Sequence, residues 1–217
     1  MLAFPIRWSK NKRMTIYVHE NDLPADLQWG DSVAVDTETM GLKLHRDRLC
    51  LLQISSGDGH AHLVRFDPQG QYHAPNLKKV LDDPDILKIF HYARFDVAAI
   101  ALYLDVVCDH IYCTKIASKL CRTYTDRHGL RELCKSLLSI DLNKEQQSSD
   151  WGAVYLSDDQ KQYAANDVLY LHEIKEKLDA MLARENRTHL AQACFGFIPY
   201  RVALDEIGFD DLDIFHH

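Results

Sequence analysis

The spacing of hydrophobic and polar positions changes character along the chain. Thr15-Ile16-Tyr17-Val18 has the β-branched and aromatic content of a short strand. Ser32-Val33-Ala34-Val35 is a second β-rich run, ending at Asp36. Leu49–Ile54 and His60–Phe66 follow, separated by the turn-forming stretch Ser55-Ser56-Gly57-Asp58-Gly59. Runs joined by such short connections are expected to pair as antiparallel neighbours. Further on, strands alternate with helices. Pro75–Leu81 predicts a short helix, Leu87–Phe90 a buried strand, and Ala93–Leu104 a helix with Phe95, Ala99 and Leu102 on one face. Val106–Tyr112 reads as another strand, and from Thr114 onward the chain is mainly helical. Strands first, then strands alternating with helices, predict an α/β architecture: a mixed sheet flanked by helices. Residues 1–13 read as a polar, flexible extension and 14–217 as one domain. Residues 184–217 are too few for a second domain, so they are expected to pack on the first or on a neighbouring subunit.

Composition narrows the class. The chain has 217 residues, enough to bury the core of one α/β domain. The hydrophobic fraction is 47% and the charged fraction 26%, ordinary values for a soluble globular protein. No stretch approaches the roughly 20 apolar residues of a membrane span. Arg7, Lys10, Lys12 and Arg13 are followed by no apolar run, which argues against a secretory signal. The six cysteines form no C-x-x-C pair and several sit in apolar segments, the pattern of reduced thiols in a cytoplasmic protein. A net charge of −7 argues against broad binding to duplex nucleic acid but leaves room for a small phosphate substrate held at bound metal. The charge is uneven: residues 113–135 hold six Lys/Arg against Asp126 and Glu132, and the last thirteen residues hold five acids and no Lys or Arg. The acidic tail reads as solvated surface, part of the basic stretch as phosphate contact.

Three short segments carry the candidate chemistry. Asp36 and Glu38 lie two apart at a strand end, so their side chains share a face. They repel unless a cation lies between them. Asp96 falls in the first turn of the Ala93 helix, where an acid also serves simply as a dipole partner. Tyr163 and Asp167 are four apart and share a helical face; Ser157 and Gln160 form the capping box that opens this helical region. Each segment alone has a plain structural reading: a polar strand end, a dipole partner, a Tyr–Asp surface pair. Together they supply four hard carboxylates and a phenol. Such oxygen donors suit Mg²⁺ or Mn²⁺ rather than zinc. Two such ions about 4 Å apart can hold the attacking and leaving oxygens of an in-line displacement at a phosphodiester.

The order D-x-E, then D, then Y-x-x-x-D resembles the DEDDy branch of 3′→5′ exonucleases. Ser149-Asp150-Trp151, Leu156-Ser157, Tyr163-Ala164-Ala165, Asp167-Val168 and Tyr170-Leu171 are similar to the ribonuclease D family, over roughly residues 30–180. His45-Arg46-Asp47-Arg48-Leu49-Cys50, Phe90-His91, residues 114–120 and residues 122–130 resemble the compact nano-RNase C type. The position four before Asp96 is Tyr92, where polymerase-associated exonucleases carry Asn. The resemblance implies a ribonuclease H-like exonuclease fold, two Mg²⁺ or Mn²⁺ ions, dinucleotide or very short RNA substrates, and a ring-shaped homo-oligomer, with an octamer as one candidate size. It implies that Asp36, Glu38, Asp96 and Asp167 hold metal and that Tyr163 orients water. Leu42 is expected either to wedge between bases or to fill the core. His91 and Tyr92 are expected at the pocket edge, with Phe95 turned towards the core. Arg122, Arg127 and His128 are candidates for a substrate phosphate, with structural ion pairs as the rival reading. The competing functions are a less length-selective exonuclease acting on tRNA precursors, longer RNA or DNA, and an inactive RNA-binding adaptor.

Overall fold

The computed structural model describes residues 14–69, 71–142, 149–210 and 212–216. The expected extension at 1–13 and residues Gln146, Gln147 and Ser148 lie outside them. The elements run β1 (Thr15–Glu20), β2 (Ser32–Thr39), β3 (Leu49–Ser55), β4 (His60–Arg65), α1 (Pro75–Asp82), β5 (Leu87–Phe90), α2 (Ala93–Leu104) and β6 (Ile111–Cys113). The helical part follows as α3 (Thr114–Cys121), α4 (Leu130–Leu133), which widens into a π-turn at Cys134–Leu138, α5 (Asp158–Leu169), α6 (Leu171–Arg184) and α7 (Thr188–Leu204). A second wide turn, Asp205–Phe209, closes the ordered helices.

The six strands form one mixed sheet in the order β1-β4-β3-β2-β5-β6. β2, β3 and β4 are antiparallel neighbours, as the short connections predict. β1 pairs parallel with β4 at one edge, and β5 and β6 extend the other side parallel to β2. β2 is therefore the pivot, antiparallel to one neighbour and parallel to the other. Its alternation sends Val33, Val35 and Thr37 to one face and Ala34, Asp36 and Glu38 to the opposite one.

Helices cover both faces. The main core gathers Val33, Ala34 and Val35 of β2, Leu52 and Ile54 of β3, Val97, Ile100 and Leu104 of α2, Ile174 and Leu178 of α6, and Phe195, Ile198 and Val202 of α7. On the Asp36 side a smaller core of Cys50, Leu51, Leu63, Trp151, Leu156 and Ala164 lies beneath α5. The segment after residue 184 thus packs on the domain through the buried stripe of α7. All six cysteines are free thiols, five of them buried. Among the described residues, no helix is long and apolar enough to cross a membrane.

Two sequence expectations fail. The strand expected over Val106–Tyr112 shrinks to Ile111–Cys113. Asp105 (φ 53°) ends α2 in the left-handed region, His110 (φ 46°) repeats that conformation, and Val107 is exposed, so the intervening residues cannot pair. The inward face of α2 is Ala93, Asp96, Val97, Ala99, Ile100 and Leu104, so of the expected Phe95, Ala99 and Leu102 only Ala99 belongs to it. Ala99 is buried, but Leu102 is exposed and Phe95 is only partly covered at a cavity wall. An acid on the buried face disguised the helical stripe.

Two substitutions on this one helix check that assignment. Ile100 is 0% exposed and Leu102 41%. Ile100→Ala is expected to lower the unfolding free energy by about 2–5 kcal/mol. Leu102→Ala is expected to stay within about 0.5 kcal/mol of the parent. Urea unfolding followed by far-UV dichroism measures both; equal losses would show that the buried face is misassigned.

Candidate active site

Asp36 and Glu38 project from the pivot strand, near its C-terminal end, towards α5. Asp36 stands directly across from Gln53 of β3, whose Nε2 donates to Asp36 Oδ2 at 3.2 Å. α5 starts with a complete capping box: Gln160 N donates to Ser157 Oγ (3.1 Å) and Ser157 N donates to Gln160 Oε1 (2.9 Å). The Gln160 amide also donates to Ser149 Oγ and the Asp150 carbonyl, which ties the preceding loop to the helix. Ala164 and Ala165 are fully buried, and their small side chains let α5 lie close on the sheet. That approach carries Tyr163 and Asp167 to the two strand acids. One oxygen each of Asp36, Glu38 and Asp167 falls within 4.8 Å of the others, the only such ligand group among the described residues.

Asp96 arrives from the other side of the sheet. It is buried in the first turn of α2, and its Oδ1 accepts from Thr37 N (3.1 Å) and Thr37 Oγ1 (2.7 Å). Thr37 lies between the two strand acids, so β2 is gripped at one residue and presents carboxylates on either side. All four acids and Tyr163 line one cavity of about 710 Å³.

The electrostatics of this cavity are adverse. Burial, then repulsion from Asp96, Asp167 and Glu38, raises the Asp36 carboxyl well above the usual range. Glu38 is raised by burial and by Asp167 and Asp96. Burial lifts Asp96 to about 7 against the opposing Thr37 hydrogen bonds. Burial and the Asp96 charge lift Asp167 to about 8. Burial, then the neighbouring acids, raises the Tyr163 phenol, so it keeps its proton. The donor set, all oxygen and mutually repelling, fits hard divalent cations.

The remaining sequence candidates divide. Leu42 stands at the lip, 84% exposed, and is not a core residue. Tyr92 is beside it in a left-handed conformation (φ 69°), with Lys115 Nζ 3.8 Å from its ring centroid. His91 lines the cavity, its Nδ1 2.9 Å from Thr114 Oγ1, and burial followed by the Lys115 charge pushes it down to about 3. Arg122, Arg127 and His128 do not reach the cavity. Arg122 is 4% exposed and spends its guanidinium on Ser118 Oγ, Ser136 Oγ and the Arg127 carbonyl. His128 Nδ1 lies 2.9 Å from Ser118 Oγ. Arg127 is exposed away from the cavity wall. The cations that do line it, Lys115 and Arg131, were passed over, as was Gln53. Gln53 left a trace in the sequence, one amide in the apolar run Leu49–Ile54. Lys115 and Arg131 left none beyond the basic stretch itself. Trp151 and Ser149 line the cavity, with the Trp151 ring 6.0 Å from that of Tyr163.

The raised carboxyl values set a pH dependence. Each acid has a folded pKa above its unfolded value near 4, so folding binds protons. Their stabilising contribution is complete below that unfolded value and is lost as pH rises through about 7 for Asp96 and about 8 for Asp167. The metal-free protein should therefore melt lower at about pH 8.5 than at about pH 5.5, and Mg²⁺ or Mn²⁺ should raise the melting temperature more at the higher pH. Differential scanning fluorimetry reads both. A flat profile with no metal effect would contradict the electrostatic picture.

The profile of the 3′-5′ exonuclease family matches residues 14–183. Ribonuclease D of Jannaschia sp. (strain CCS1) is 34% identical over 160 residues, covering 72% of this chain and 41% of the relative. The chain thus spans about two fifths of the length of the curated ribonuclease D proteins it matches. Among solved structures, Brucella melitensis NrnC bound to pGG is 54% identical, with a TM-score of 0.90 over 94% of this chain and 99% of that one. Brucella melitensis NrnC with bound Mg²⁺ is 53% identical, with a TM-score of 0.89 over 94% of this chain and 100% of that one. Matched over most of its length and built on a mixed sheet with helices on both faces, this chain belongs to the 3′-5′ exonuclease family with a ribonuclease H-like fold.

Proposed function

We propose that this protein is a metal-dependent 3′→5′ exoribonuclease that hydrolyses dinucleotides and very short RNAs to 5′-mononucleotides. The observation that carries the reading is the convergence of Asp36, Glu38, Asp96, Asp167 and Tyr163 in one cavity. Its volume of about 710 Å³ falls within the range of small-ligand sites, roughly 300–1,000 Å³. The Mg²⁺ and pGG bound to the Brucella relatives support the same assignment.

Asp36, Glu38 and Asp167 would hold the cations, with Asp96 supporting them from the α2 side. Bound Mg²⁺ or Mn²⁺ supplies positive charge for the developing phosphoryl oxyanions and acidifies attacking water. The chain's own groups do the rest. Gln53 fixes the Asp36 carboxylate, and Thr37 fixes Asp96. Tyr163, protonated at working pH, orients the nucleophilic water by hydrogen bonding. Leu42, Tyr92, His91 and Trp151 offer apolar and aromatic walls that pack against bases without reading their identity. Lys115 and Arg131, at the rim, take the phosphate role first sought in Arg122, Arg127 and His128. The five buried thiols agree with a cytoplasmic setting.

A second reading, a less length-selective exonuclease, has one observation behind it. Lys119 and Arg127 are further exposed cations on α3 and the following loop, outside the cavity wall. Length preference also turns on assembly. Tyr200, Ile207 and Phe215 expose apolar surface at the C-terminal end, which supports a ring-shaped homo-oligomer that narrows access to each site.

Timed degradation of 5′-labelled RNAs, from dinucleotides to long oligomers, tests the proposal. Dinucleotides should disappear fastest; a persistent pile-up at two nucleotides would reject the length preference. Asp36→Asn and Asp167→Asn should each cut turnover by about 1,000-fold with the fold intact, and Tyr163→Phe by about 100-fold. Lys115→Ala should raise the dinucleotide KM by about tenfold with little change in kcat. Arg122→Ala should instead lower the melting temperature, since it leaves Ser118, Ser136 and the Arg127 carbonyl without their donor. Light scattering should give a mass several times that of one chain; an active monodisperse monomer would remove the assembly argument.

A further inference from the structure

Helix α2 supplies Asp96, Phe95 and, just ahead of its first residue, Tyr92, yet its start is poorly secured by local structure. No side chain caps its N-terminus, and Tyr92 sits in the left-handed region at φ 69°. A bulky residue held there costs free energy and stays put only when its surroundings enforce it. Three ties do so. Thr37 donates to Asp96 from the pivot strand. Lys115 lies over the Tyr92 ring. The third comes from far along the chain, the wide turn after α7. Arg94 Nε donates to Asp205 Oδ2 at 2.6 Å, and its Nη2 donates to Asp205 Oδ1 at 2.8 Å and to the Asp210 carbonyl at 2.8 Å.

This tie is built on both sides. Asp205 also accepts from Arg201 Nη2 at 2.6 Å, so one carboxylate joins an arginine of α2 to an arginine of α7. Arg201 in turn donates to the carbonyls of Phe209 and Leu212, folding the tail back over the helix. The Asp205 side chain is 18% exposed and that of Arg201 17%, so this half of the triad is largely withdrawn from water, while Arg94 at 38% stands at its edge. A partly buried two-point arginine–carboxylate pair is far more directional than a surface ion pair. The clasp also walls a second cavity of about 610 Å³, which shares Leu42, Tyr92 and Phe95 with the catalytic cavity.

We propose that the Arg94–Asp205–Arg201 clasp makes the C-terminal segment a positioning element of the catalytic site. It sets the first turn of α2, and through it the placement of Asp96 and Tyr92. Arg94 is then a positioning residue, two places from an acid of the site. The acidic stretch after α7 has a function beyond solvated surface: Asp205 is the counter-ion that fixes the metal-binding helix from outside the sheet. This rests on the metal-site part of the proposed function, not on the substrate length assigned there.

The test uses the full-length protein and Mn²⁺ binding followed by electron paramagnetic resonance, with dinucleotide kcat and KM measured in parallel. Arg94→Met removes the α2 end of the clasp, its two contacts to Asp205 and the one to the Asp210 carbonyl. It should weaken Mn²⁺ binding by about tenfold, the scale on which loss of groups that orient metal ligands is felt. In the same variant kcat should fall more than KM rises. Arg94→Lys, which keeps the charge but only one contact, should fall between Arg94→Met and the parent. Asp205→Asn, which keeps the shape, should follow Arg94→Met and provides the reading if that variant fails to fold. If Arg94→Met and Asp205→Asn lower only the melting temperature, with Mn²⁺ affinity and the kcat-to-KM split unchanged, the clasp is merely structural and the inference is overturned. A parent protein that binds Mn²⁺ but does not cleave dinucleotides would refute the substrate assignment alone, because the Mn²⁺ readout of the clasp survives it.

Discussion

Mutual repulsion among four crowded carboxylates, Asp96 buried and Asp36, Glu38 and Asp167 half-buried, is the constraint around which the rest of this structure is arranged. Left in the cavity they favour protonation: burial drives the shift, and for Asp36, Glu38 and Asp167 the neighbouring acids add to it. The fold holds them together by drawing on three elements that touch at one strand. β2 is the pivot of the sheet and gives two acids. α5 approaches one face closely because Ala164 and Ala165 are small, and gives Asp167 and Tyr163. α2 covers the other face and gives Asp96, fastened to Thr37 between the strand acids. The strain of such crowding makes sense if cations occupy the site during function, since they convert repulsion into binding energy.

The charge distribution continues this logic. The cavity floor is acidic, whereas Lys115 and Arg131 stand on its wall. In the proposed reaction a phosphodiester with bound cations would be drawn to the floor and a further phosphate to the rim. Neutral His91, exposed Leu42 and the aromatic rings of Tyr92 and Trp151 lie between, a surface suited to bases of any identity. A protein of net charge −7 can therefore be selective for a polyanion without a broad basic face.

Much of this was legible in the residues. The β-runs with their short turns predicted the antiparallel half of the sheet, and the capping box at Ser157 and Gln160 announced α5. The i, i+2 and i, i+4 spacings placed the acids and the phenol on shared faces before any coordinates were known. What sequence could not show were relations across elements. Arg122 reads like a phosphate ligand, but burial and three internal acceptors consume it. Lys115 reads as one of six cations in a basic stretch, and only the start of α3 shows that it is turned to the cavity. Phe95 and Leu102 fit a helical stripe, yet the buried face of α2 is the one bearing Asp96, because function placed a charge where the hydrophobic pattern expects none. The pairing of β1 with β4 and the reach of Asp205 to Arg94 are contacts between distant segments, with no local signature.

The central claim is that the four carboxylates form a binding site for divalent cations. Anomalous diffraction at the manganese edge, from crystals grown with Mn²⁺, tests it most directly. The account predicts strong anomalous peaks among Asp36, Glu38 and Asp167, with a neighbouring peak on the Asp96 side. A cavity free of anomalous density at saturating Mn²⁺ would contradict it.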